Sequence, residues 1–150
     1  MSNDRSCIFP EVNRVYTFGE QGTSGGQFFS DHLGKIALQK QALVWNATAA
    51  TDVQLQPYKR QLYQTIRSGE RIVSSQLSQQ SDSQLPAVIT YTSLSHFNRI
   101  ARPLGIITDH KDGRPRTSFE GIVQVRLSSR VLFLVPDSHP VLQGVEEPSD

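Results

Sequence analysis

The stretch Gly121-Ile122-Val123-Gln124-Val125-Arg126-Leu127 leads through Ser128-Ser129-Arg130 into Val131-Leu132-Phe133-Leu134-Val135. In its first half Ile122 and Gln124 face opposite Val123, Val125 and Leu127, the period of two expected of a strand with unlike faces. The second half is apolar without a break, as in a strand buried on both sides. Just upstream, Asp109-His110-Lys111-Asp112-Gly113-Arg114-Pro115-Arg116 holds an Asp-Gly pair, which adopts the positive φ angles of a tight hairpin turn. Residues 104–127 therefore read as two antiparallel strands with Asp112-Gly113 at the tip. Ala87-Val88-Ile89-Thr90-Tyr91-Thr92 and Val12-Asn13-Arg14-Val15-Tyr16-Thr17-Phe18 add further β-branched and aromatic strand segments. Residues 35–45 alternate well enough for another.

The helical period is clearest after Pro57, a residue favoured in a first helical turn because its missing N–H has no partner there. Leu62, Ile66, Val73 and Leu77 recur at spacings of four, seven and four, with Gly69 on the same face. That stripe predicts one amphipathic helix over residues 57–78. Gly69 implies either a bend or the close approach of another backbone. A second, short helix opens at Thr92 or Ser93, runs through Leu94, Phe97 and Ile100, and closes before Pro103. The expected fold class is α+β: a mainly antiparallel sheet of about six strands, with the long helix on one face and extended termini. Residues 1–150 read as a single domain, with an extended segment at 1–11 and an acidic, proline-containing, non-helical tail at 137–150.

Charge is uneven along the chain. The net charge is +1, yet residues 99–130 carry seven basic side chains against three acidic, and residues 137–150 carry Asp137, Glu146, Glu147 and Asp150 with no Lys or Arg. Arg60, Arg67 and Arg71 share the outer face of the expected helix, and His110, Lys111, Arg114 and Arg116 surround the hairpin tip. Long cations displayed together suit phosphate, so these seven residues form a candidate nucleic-acid surface.

Signatures of catalysis are missing. Gly19-Glu20-Gln21-Gly22-Thr23-Ser24-Gly25-Gly26 is glycine-rich but has neither the P-loop lysine nor the dinucleotide-binding glycine spacing. Ser95, His96, Asp109 and His110 can be assembled into a triad only on paper, because geometry rather than composition defines one. The histidines at 32, 96, 110 and 139 form no close pair, and Cys7 is the sole cysteine, which excludes an internal disulfide and a cysteine-only metal site. No catalytic residue, cofactor or metal is expected. No apolar run is long enough to cross a bilayer, and the first residues lack a signal sequence, so the expected location is intracellular (cytoplasmic) or a virion.

By elimination, the sequence reads as a non-enzymatic subunit of a larger assembly, a viral or phage particle or a multisubunit complex. It would meet protein partners, or itself, through Phe28, Phe29, Val141, Leu142 and Val145. The alternative is a nucleic-acid-binding module.

Overall fold

The computed structural model describes residues 20–21, 25–38, 40, 55–77, 83–127 and 130–144. The chain divides into two compact units, Met1–Tyr58 and Lys59–Asp150. The strand expected at 12–18 and the extended segment at 1–11 lie outside the described residues, as do the sequence at 41–54 and the tail beyond 144.

In the first unit the chain turns sharply at Gly25 and Gly26, whose φ angles are 63° and 76°, and Phe29 N donates to Gly26 O at 2.8 Å. Phe28 follows at φ 105°, a strained value for a residue with a side chain. A 3₁₀ turn, Leu33–Lys35, comes next, with the Phe29 ring packed so close to Gly34 that a Cβ there would lie 3.1 Å from it. Residues 36–38 form no strand.

In chain order the remaining elements are α1 (Leu55–Ser68), β1 (Glu70–Arg71), β2 (Ala87–Tyr91), α2 (Leu94–Ala101), β3 (His110–Lys111), β4 (Arg114–Pro115), β5 (Val123–Arg126), β6 (Val131–Pro136) and α3 (Pro140–Gln143). The fold mixes α and β. Four strands form a sheet in the order β1-β2-β6-β5, and β3 and β4 form a separate ribbon.

The mainly antiparallel expectation is corrected for the larger sheet. β1 pairs with β2, and β2 with β6, in parallel; only β5 and β6 run antiparallel. Periodicity marks which residues are strands but not their direction, and the parallel neighbours β2 and β6 are separated by residues 92–130, which include α2.

Both faces of the central pair are covered, which explains why β6 reads as continuously apolar. On one face Ala87, Ile89, Tyr91, Leu132 and Leu134 pack with Phe97, Ile100 and Ala101 of α2. On the other, Val88, Phe133 and Val135 pack with Leu62, Tyr63 and Ile66 of α1 and with Val141 of α3. Ile66, Phe97, Leu132 and Leu134 are fully excluded from solvent.

The long helix ends ten residues earlier than expected. At Gly69 the backbone meets β2: a Cβ there would lie 2.8 Å from Val88 Cγ2 and 2.9 Å from Pro86 O. Glu70 N then donates to Pro86 O and Ile72 N to Val88 O, so the chain exits into β1. Of the four stripe residues, Leu62 and Ile66 are buried and Leu77 is half-buried, but Val73 is 60% exposed and Ile72 takes the buried place.

Two other expectations change. Residues 104–108 end a 3₁₀ turn, Arg102–Leu104, and form no strand. Residues 140–143 are helical, because Pro140 sits at N1 and the His139 side chain caps the end by accepting from Val141 N. The short helix after Ser93 is as read: Ser93 Oγ accepts from His96 N at 3.1 Å.

Candidate functional site

The parallel strands β2 and β6 end side by side, Tyr91 opposite Pro136, and Asp137 N donates to Tyr91 O at 3.0 Å. Beyond these ends the chain diverges on one side into Thr92-Ser93 and α2, and on the other into Asp137-Ser138-His139 and α3. Diverging connections at the carboxyl ends of adjacent parallel strands leave a crevice between them. Here it is a cleft of about 350 Å³, within the usual ~300–1,000 Å³ of ligand sites.

A tight turn closes the cleft from a third direction. Phe119 and Ile122 exchange both backbone hydrogen bonds at 2.9 Å, with Glu120 and Gly121 at the turn at φ 54° and 91°. A left-handed conformation costs a non-glycine residue about 1–2 kcal/mol. Contacts of Glu120 offset that strain: its Oε2 accepts from Tyr63 Oη at 3.0 Å and its Oε1 pairs with Lys59 Nζ at 3.1 Å. Gly121 has a second constraint, since a Cβ would lie 2.9 Å from Pro136 Cγ. Its carbonyl accepts from Tyr91 Oη at 2.6 Å, a bond that ties the turn to the end of β2.

The chemistry of the cleft is polar and fixed. Burial pushes the Tyr91 hydroxyl up to about 12, against a smaller opposing effect of the Arg114 guanidinium, so Tyr91 stays protonated near neutral pH and acts as a strut. His139 is buried, stacks edge-on against Tyr63 at 5.6 Å, and uses Nδ1 as an acceptor from Val141 N at 3.1 Å. Asp137 and Ser138 are exposed on the rim, as is Arg114. Among the described residues, no group of three or more His, Cys, Asp or Glu side chains is placed to hold a metal ion. No helix among them is long and apolar enough to cross a membrane.

Of the candidate binding residues read from sequence, Arg114 alone lines this cleft. His110, Lys111 and Arg116 are exposed on the β3–β4 ribbon, where Arg116 pairs with Asp109 at 2.7 Å. Arg60 and Arg67 are exposed on α1, and Arg67 Nε donates to Val141 O at 3.4 Å; Arg71 lies on β1, beyond the helix. The anchors also separate: Phe28 is exposed and Phe29 half-buried in the first unit, while Val141 is buried in the core and Leu142 packs against it. Val145 lies outside the described residues. A role for the cleft residues Tyr91, Glu120, Asp137 and His139 escaped sequence reading, as did the contact of Tyr63 with Glu120. Their one local signal is position, at or beside a strand end; it becomes informative only once the strands are known to be parallel.

The whole of this geometry lies within residues that match a known family, which extends over residues 1–146. The chain belongs to the GNT-I family. It is 38% identical over 137 residues to an alpha-1,3-mannosyl-glycoprotein 2-beta-N-acetylglucosaminyltransferase of Arabidopsis thaliana, an alignment covering 89% of this chain and 31% of that protein. The chain thus spans about a third of the length of that relative.

Membership of the GNT-I family overturns the reading as a structural assembly subunit or virion component, and the nucleic-acid-binding alternative with it. The physical reason is that a missing local motif is weak evidence against chemistry whose residues come together only in three dimensions. The cytoplasmic or virion location is overturned by the same family membership.

Proposed function

We propose that this chain is a working part of a glycosyltransferase that places N-acetylglucosamine on a mannosyl glycoprotein. The observation that carries this reading is the 38% identity, sustained over 89% of the chain, to a protein named for that reaction. In such a transfer the bond from C1 of N-acetylglucosamine to its leaving group breaks and a bond from C1 to an acceptor hydroxyl oxygen forms. The hydroxyl proton leaves to a base.

Chemically, the cleft at the ends of β2 and β6 suits a substrate rich in hydroxyl groups. Its carboxylates accept hydrogen bonds, and its serine and threonine hydroxyls both donate and accept. Asp137 and Ser138 follow β6 directly, Thr92 and Ser93 follow β2, and Glu120 is held by Lys59 and Tyr63, so the donor and acceptor atoms rest on the rigid sheet.

A segment exchange tests the reading. The matching part of the Arabidopsis relative is replaced by this chain, and the chimera is given an activated N-acetylglucosamine donor and a mannose-terminated glycan. The expected result is a glycan heavier by one N-acetylglucosamine residue, seen by mass spectrometry. A chimera that folds cooperatively and yields no such product overturns the proposal.

A further inference from the structure

Resting on the glycosyltransferase reading, we infer that the cleft at the ends of β2 and β6 is a saccharide subsite that seats the neutral acceptor glycan, with the Glu120 and Asp137 carboxylates accepting hydrogen bonds from its hydroxyl groups. The cleft is lined by Tyr91, Gly121 and Pro136 and by the buried His139.

Charge decides between the two kinds of substrate that such a reaction brings together. An activated sugar carries a charged leaving group, which calls for several cations or a row of bare backbone N–H groups. The cleft offers Arg114 as its one cationic lining residue beside Asp137, and its other acid, Glu120, is already balanced by Lys59, so no excess of positive charge faces it. The N–H of His96, in the first turn of α2, is already taken by Ser93 Oγ. A neutral saccharide has no such requirement. Its hydroxyls are donors, and a carboxylate is an acceptor-only group that can bond two of them at once.

Positioning supports the same assignment. Glu120 is placed by a strained backbone and by two side-chain contacts from α1, with Lys59 itself largely buried. Asp137 sits one residue beyond β6 and is tied through its N–H to Tyr91 O; among the described residues its carboxylate has no side-chain partner. The two acidic residues thus line the cleft from separate elements, and each Glu120 oxygen, with one partner from α1, keeps a lone pair for a further donor.

The test titrates the full 150-residue chain with an α-linked mannotriose, following backbone amide NMR shifts, and separately with uridine diphosphate as a charged probe. The expected result is saturable mannotriose binding, with shifts concentrated at residues 92–93, 113–114 and 137–139. Asp137→Asn should weaken it about tenfold, the loss of one charge-assisted hydrogen bond. Glu120→Gln should weaken it similarly, while Arg116→Ala leaves it unchanged. Asp137 is exposed, so its variant separates ligand loss from misfolding. In the chimera, Asp137→Asn should raise the KM for the glycan and leave that for the donor unaltered. Mannotriose shifts elsewhere on the chain, binding unaffected by both acid substitutions, or uridine diphosphate occupying the cleft instead each overturn the inference. An active chimera with an unresponsive cleft removes the subsite alone. An inactive chimera removes the proposed function, and with it the acceptor role of any glycan bound there.

Discussion

The parallel pair β2–β6 and the antiparallel ribbon β3–β4 border the same cleft and are built in opposite ways. In β2 and β6 eight of the eleven residues are buried, and the partners lie more than 40 positions apart in the chain, as Ala87 does from Leu132. In the ribbon the partners are His110 with Pro115 and Lys111 with Arg114, and Pro115 alone of the four is buried. Burial on two faces holds the first pair together, and a two-residue turn with Asp112 at φ 52° and Gly113 at φ 75° holds the second. The rigid pair supplies the floor on which Tyr91 and Asp137 stand, and the ribbon supplies only Gly113 and Arg114 at the edge.

The comparison is broken most severely in the core. Leu134→Ala removes a fully excluded side chain between β2, β5 and α2 and should cost about 2–5 kcal/mol in urea unfolding. A loss below about 1 kcal/mol would mean that the central pair is not the source of stability.

Tyr91→Phe is the intermediate case. It keeps the ring packed at 5.3 Å against Phe97 but leaves the Gly121 carbonyl without its phenol donor, at an expected cost of about 1–2 kcal/mol near neutral pH. The sign of its pH dependence follows from burial. The folded protein keeps the Tyr91 proton up to about 12, whereas the unfolded chain releases it near 10, so stability falls as pH rises through that window. Thermal unfolding at stepped alkaline pH should show a shallower decline in Tyr91→Phe than in the parent chain; identical slopes refute the assignment.

The ribbon should respond least. Gly113→Ala meets nothing within 4 Å and pays only the left-handed backbone cost, about 1 kcal/mol, and that within a local turn. Amide exchange should quicken at residues 110–115 with little change in global unfolding. Global destabilisation as large as that of Leu134→Ala would show that the ribbon belongs to the core after all.

How legible each part was follows the same division. Asp112-Gly113 announced its turn, Ser93 announced α2, and the unbroken apolar run at 131–135 announced a strand covered on both sides, because turn chemistry, capping and two-sided burial all leave marks within a few residues. Strand direction left none. The end of α1 was ambiguous for a related reason: Gly69 signalled a close backbone, but only the arrival of Pro86 and Val88 shows that the helix stops there and that Val73 turns outward while Ile72 turns in.

The site was the least legible part. Glu120 is one acid among fourteen acidic residues in the chain, and nothing within its neighbours reveals that Lys59 and Tyr63 hold it or that Asp137 stands across the same cleft. The sequence by itself determined the central strands at 87–91, 123–126 and 131–135, the start of α2 and the ribbon turn, since each depends on contacts between residues close in the chain. The direction of the sheet, the end of α1 and the gathering of Tyr91, Glu120, Asp137 and His139 were decided only by tertiary structure. These depend on which distant surfaces bury one another, a choice that no short window of residues contains.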